Sequence, residues 1–293
     1  MPTRILATLL ALIWGINPAN ATQDALIAQT LEKHYPANAD ASERLARSSD
    51  GAQHECHYIR SGNSEYCMHL HSEKTVADAQ GKRRYLLMRG DNLSGGHAFT
   101  GLVALHAFTA ENGAWQETAR VQSEVGEWGR APKAWQWQEL DAGYWGVSGQ
   151  SSYTANGETT GGLTLLHDDS DRLAVSYIPL TYSRDADFCD PAEQKTCDNA
   201  WEDENGAKET LANSADLHGI LTIRRDLAAS GKHWPLEIRV SGFKGRKISG
   251  SETNGAYRIV PIKAYRQDKY LFRYDAAKHA YHMPDDYPFN IQY

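Results

Sequence analysis

The sequence predicts an antiparallel all-β, multi-hairpin, sandwich-like fold with one N-terminal helix. Three observations carry that expectation. Beyond residue 54 apolar side chains recur at every second position, clusters of Gly, Asn, Asp and Ser separate the runs, and no long pattern of helical period interrupts them. A chain of 293 residues is also long enough to bury a core of its own.

Residues 1–21 read as a secretory signal. Arg4 supplies the positive start, Ile5 to Ile16 form an apolar run, Pro18 breaks it, and Ala19-Asn20-Ala21 offers small residues for cleavage. The run is shorter than the ~20 residues that cross a bilayer, and nothing later in the chain reaches that length. The expected location is therefore periplasmic or extracellular, with no membrane span in the mature chain. In 22–53, Leu26, Ile27, Thr30, Leu31 and His34 share one face of a helix over Thr22–Tyr35, which Pro36 ends; Ala37–Gln53 reads as a polar connector.

The β region 54–182 opens with HECHYIRSGNSEYCMHLH. Export favours disulfides, and the most local of three pairings joins Cys56 to Cys67 and Cys189 to Cys197. Each bridge would close a loop of roughly ten residues and stabilise by about 2–3 kcal/mol. Pairing Cys56 across from Cys67 sets His54 opposite His69 and Tyr58 opposite Glu65, with Arg60-Ser61-Gly62-Asn63 as the turn. His57, Ile59, Tyr66, Met68 and Leu70 then share the oily face. His54, His69 and His71 gather on the other face, beside the staple. Neutral imidazoles so placed can ligate zinc or copper, act as a pH-sensitive contact, or simply be solvated. The expectation is no cofactor, with zinc or copper as the alternative.

Further along, Ala98–Thr109 is apolar on both faces and belongs in the middle of a sheet covered on both sides. A turn at Glu111-Asn112-Gly113 leads to a strand with Trp115, Glu117, Ala119 and Val121 on one face. Trp135 and Trp137 share a strand face, as core filling or as a platform for sugar rings such as those of peptidoglycan. Ser148, Ser151 and Ser152 fall in a Gly/Ser-rich stretch read as turn. Leu163–Leu166 and Leu173–Leu180 flank a turn in which Asp168, Asp169 and Asp171 read as turn formers.

Residues 183–216 read as an acidic insertion pinned by Cys189–Cys197. Asp185, Asp187 and Asp190, with Asp198, Glu202, Asp203 and Glu204 nearby, hint at calcium, but the EF-hand spacing fails. Residues 217–293 complete the β fold: Leu236, Ile238 and Val240 face inward, Tyr257–Tyr265 and Tyr270–Asp275 read as a hairpin, and Ala280–Met283 as a last short strand.

Charge is uneven, with 16 basic and 30 acidic residues in 22–216 against 13 and 7 in 217–293. The basic third is too diffuse for nucleic acid. Enzymatic signatures fail: GVSGQ at 146–150 lacks the last glycine of a nucleophile elbow, and HExxH is absent. The sequence thus points to an exported, non-catalytic binding protein for a protein partner, an inhibitor, immunity-like or envelope-associated factor. Its interface would use loops and exposed aromatics, with the acidic segment turned toward a cationic partner. The alternatives are a metal-binding protein or metallohydrolase centred on His54, His69 and His71, and a protein that binds or hydrolyses cell-wall glycan.

Overall fold

The computed structural model describes residues 18–48, 56–78, 81–94, 96, 99–155, 157–169, 171–185, 201–202, 208–229, 231–249 and 257–289. Most of the expected signal stretch 1–21, and His54, Cys189, Cys197, Asp187, Asp190, Asp198, Asp203 and Glu204, lie outside these residues.

Two helices, α1 (Pro18–His34) and α2 (Ala39–Ser48), precede two antiparallel sheets. The first is a meander in chain order: β1 (His57–Ser61), β2 (Ser64–Asp78), β3 (Gly81–Asn92), β4 (Gly101–Glu111) and β5 (Ala114–Val125). The second runs β6 (Trp135–Asp141), β7 (Tyr144–Ala155), β8 (Glu158–Asp168), β9 (Leu173–Asp185), β11 (Lys208–Ile223), β12 (Leu236–Ser249), β13 (Tyr257–Asp275) and β14 (Ala280–His282), while β10 (Trp201–Glu202) pairs with the start of β11. The interval 183–216 therefore holds the end of β9, all of β10 and the first half of β11. Where strands adjoin in sequence, tight turns fix their pairing. Asn112-Gly113 supplies the two positive φ angles, 50° and 80°, of a two-residue hairpin.

Residues of alternating direction give the first sheet two buried faces. Leu86, Met88, Leu102 and Ala104 pack with Leu26 and the flank of α1. Tyr85, Leu87, Val103 and Leu105 pack against Val147, Leu166 and Leu173 of the second sheet. All of Gly101–Phe108 is buried, as its doubly apolar pattern requires. On the other face of the second sheet Leu163, Leu165, Ile178 and Ile238 meet Tyr281, Tyr287 and Phe289. The Tyr281 N–H donates to Ser176 Oγ (3.2 Å), and the Tyr287 hydroxyl donates to the Pro179 carbonyl (2.5 Å).

A buried bridge joins the sheets. Arg83 of β3 donates to Asp168 Oδ2 at the end of β8 (2.8 Å), and the Tyr85 hydroxyl donates to the same oxygen (2.6 Å). Arg83 also donates to the Gly143 carbonyl. Asp168 stands at the end of β8, and its carboxylate faces these donors of β3.

Four local expectations change. The polar connector contains α2, because Asn38 caps it: Asn38 Oδ1 accepts from the Ala41 N–H (2.9 Å). The stretch read as turn around Ser148–Ser152 is β7. Tyr257–Asp275 is one strand rather than a hairpin; Gln267, at φ 67°, is an extra residue between the pairs Ser241–Arg266 and Val240–Asp268, so the polar run makes a β-bulge. The first hairpin is shifted by two: Tyr58 faces Cys67, and the turn tightens to Gly62-Asn63. A shift of two preserves the faces, since two is the strand period. Cys56 and Cys67 are still disulfide-bonded, with Cα atoms 5.0 Å apart.

Gly149 in β7 explains why that strand tolerates glycine. A Cβ there would lie 2.7 Å from the Trp135 ring, which covers the position. Gly149→Ala is expected to destabilise by about 1–3 kcal/mol through overpacking. The same change in a Trp135→Leu background should cost clearly less; chemical denaturation of the four variants reads the difference.

Candidate functional site

The hairpin that carries the predicted histidines is largely claimed by packing. Cys56, Cys67 and Tyr58 lie against Ala41 of α2 and Leu93. Glu65 accepts from the Tyr58 hydroxyl (2.6 Å) and from Arg44 of α2 (2.7 Å). His69 is exposed and faces Arg89 across the ladder. His71 is half-buried at a bulge: Leu70 pairs with Met88 and Ser72 with Leu87, so nothing stands opposite it. Burial, and then the Arg89 charge, lower its pKa.

Two imidazoles and a carboxylate do meet elsewhere. His34 at the end of α1, His106 of β4 and Glu117 of β5 bring their ligand atoms within 4.8 Å of one another, and this is the sole such trio among the described residues. Glu117 Oε1 lies 2.8 Å from His106 Nδ1, and Oε2 lies 2.8 Å from His34 Nε2. The Tyr35 hydroxyl reaches His106 Nε2 at 2.8 Å, Lys33 Nζ reaches Glu117 at 2.5 Å, and Arg120 reaches His34 Nδ1 at 3.0 Å. One donor order satisfies every group: Tyr35 donates to His106, Arg120 donates to His34, and both imidazoles donate to Glu117. Burial opposes the Glu117 charge, but the bonds from His106, Lys33 and His34 together hold its carboxyl far below the usual range. Two histidines and a glutamate suit zinc or iron. Here, however, the Lys33 ammonium already sits on the Glu117 carboxylate, and an ion bridging His34 Nε2, His106 Nδ1 and Glu117 would have to displace it. Tyr35 and His106 are fully buried, so no reactant reaches them. The arrangement acts as a clamp that staples α1 to β4 and β5.

A second polar nest lies where β8 meets the C-terminal hairpin. His167 and His233 are fully buried, with ring centroids 5.1 Å apart, and Tyr274 stacks edge-on at 4.3 Å from His233. His167 Nε2 is 3.2 Å from Ser176 Oγ, and among the described residues His167 Nδ1 and both nitrogens of His233 lack a well-formed hydrogen bond. Burial, and then His233, push His167 down to about 3. Burial lowers His233 as well. Asp169, read as a turn former, is buried, and its carboxylate lies 2.5 Å from His279 Nδ1. Burial resists its ionisation, but bonds from His279 and Tyr274 outweigh that and lower its pKa.

The remaining sites are structural in placement. Trp135 and Trp137 are half-buried against the inter-sheet core, and Trp135 Nε1 donates to the Pro132 carbonyl (2.8 Å). Ser148 is buried and accepts from Gln138 (2.8 Å). A groove of about 260 Å³ is lined by Gln150, Ser151, Ser152, Gly162, Leu180 and Thr181, none of which is an acid or base. Sequence reading missed the Glu117 clamp because its partners lie 83 and 11 residues away. The signal was present: a glutamate on an apolar strand face and a histidine on the buried face of a helix. No family model, no curated protein and no solved structure matches the chain.

The buried histidines set the pH dependence. His106, His167 and His233 are held neutral, so the unfolded chain binds protons that the fold refuses. Their stabilisation is complete above their unfolded pKa of about 6.5. Below that it is lost at up to about 1.4 kcal/mol per pH unit for each histidine, toward pH 3 for His167. Thermal melts from pH 7.5 to 4.5 should show a falling Tm, and His233→Phe should flatten the slope. A Tm that holds constant across that range contradicts the assignment.

Proposed function

We propose that the chain is an exported, non-catalytic binding protein that recognises a protein partner, in the manner of an inhibitor, immunity-like or envelope-associated factor. The N-terminal signal pattern supports export. The burial of His106, His167 and His233 among packed side chains supports a structural rather than a chemical role for these imidazoles.

One observation carries the choice of interface. Trp128 stands at φ 57°, a left-handed conformation that bulky residues avoid, and it is 53% exposed. That backbone costs roughly 1–2 kcal/mol. The surrounding loop is nonetheless pinned. The Gly129 N–H donates to the Phe99 carbonyl (2.7 Å), the Asn92 N–H to the Gly129 carbonyl (2.7 Å), and the Arg130 N–H to the Glu127 carbonyl (3.0 Å). Phe99, 42% exposed, sits on the adjoining loop. Strain held in place by a rigid sheet end, with large aromatics presented outward, is the pattern of a binding hot spot.

Trp128→Gly separates structure from recognition, because glycine accepts this φ freely. The Tm should hold or rise, while recovery of the partner from periplasmic extract on immobilised protein should fall by roughly thirtyfold, the effect of losing one hot spot of ~2 kcal/mol. Undiminished recovery, or a Tm that drops steeply, would refute the role.

A further inference from the structure

A different surface, remote in sequence from Trp128, presents an unexplained charge arrangement. Lys244 of β12 and Lys263 of β13 stand directly opposite each other in the ladder. Like charges so placed repel. Lys244 is half-buried, and among the described residues neither ammonium has a carboxylate within ion-pair distance; Lys263 lies over the Tyr265 ring at 4.8 Å. Burial, and then Lys263, lower the Lys244 pKa. Beside the pair, Ile259, Val260 and Ile262 are 43%, 37% and 67% exposed. They belong to the stretch of β13 whose outer edge is uncovered among the described residues, since β14 pairs only with Arg273–Asp275.

We propose that this arm of β12 and β13 is a docking site for an acidic, apolar-rich segment of a protein partner, with carboxylates received at Lys244 and Lys263 and apolar side chains laid on Val260, which shares their face, and on Ile262 at the bulge. Charge complementarity selects the occupant. A second copy docked edge to edge would bring Lys263, Arg266 and Lys269 against their own kind. Pro261 lacks an N–H, and Ile262 is an extra residue between the pairs Lys244–Lys263 and Gly245–Pro261, so both interrupt a continuing ladder. Side chains therefore make the contact. The connecting sequence 250–256, GSETNGA, has no large apolar residue with which to enter a bilayer. This surface stands apart from the Trp128 loop, and either can fail without the other.

Fluorescence anisotropy with a labelled peptide of roughly a dozen alternating Glu and Val residues tests it, beside a Lys–Val counterpart and phosphatidylglycerol vesicles. The Glu–Val peptide should bind. Raising salt from about 0.1 to about 0.5 M, or the double change Lys244→Gln and Lys263→Gln, should weaken it by roughly tenfold. The double variant should melt no lower than the parent, because a repulsion is gone, and Trp128→Gly should bind the peptide normally. Equal binding of the Lys–Val peptide, or a double variant that binds unchanged, overturns the proposal. So does attachment to vesicles without peptide binding, or a concentration-dependent dimer that protects the amides of 259–264 from exchange.

Discussion

The carboxylate of Asp168 is the point on which the two halves of this molecule are set. Within each sheet strands pair with their neighbours in sequence, save that β9 pairs with β11 past the short β10, so ladder hydrogen bonds build each half alone and relate neither to the other. The apolar surface between them gives cohesion but little direction. Arg83 and Tyr85, two residues apart on β3 and so on one face, both donate to Asp168, and that gives the packing a register. Both ions are about nine-tenths buried, so leaving either one unpaired would strand a charge in the interior.

With that register set, the rest of the architecture follows by layers. The first sheet is closed on its outer face by α1, and the Glu117 clamp fixes where the helix ends. The aromatic tail covers one face of the second sheet through Tyr281 and Tyr287. Polar groups inside these layers serve geometry, and His233, buried among aromatic rings, is tolerated at a cost in acid stability. What the layers leave outside is correspondingly specific: a strained aromatic loop at the end of the first sheet and a basic, apolar arm on the second.

Much of the fold was legible because period two and turn chemistry are local. The doubly apolar run in β4, the Asn-Gly hairpin, the inward side of β12 and the disulfide Cys56–Cys67 could all be read from short windows. The errors share a cause. β7 was mistaken for turn because its glycines answer to Trp135, Leu140 and Leu165, on other strands or farther along the sheet. β13 was split because a bulge at Gln267 uses the same polar residues as a turn. The first hairpin slipped by two because a disulfide can join diagonal neighbours as well as opposed ones. The site was less legible than the fold: Asp168 looks like a turn residue until its partner 85 residues away is known, and the Trp128 strain has no sequence signature.

The most direct test of the sheet register is a double-mutant cycle between Arg83→Met and Asp168→Leu, read by denaturant unfolding. The account expects a coupling energy above about 2 kcal/mol, with the double variant more stable than either single one, because the pair together can be replaced by apolar groups while neither ion can be left alone. Additive effects, agreeing within about 0.5 kcal/mol, would show that the two residues act independently and that apolar packing alone sets one sheet on the other.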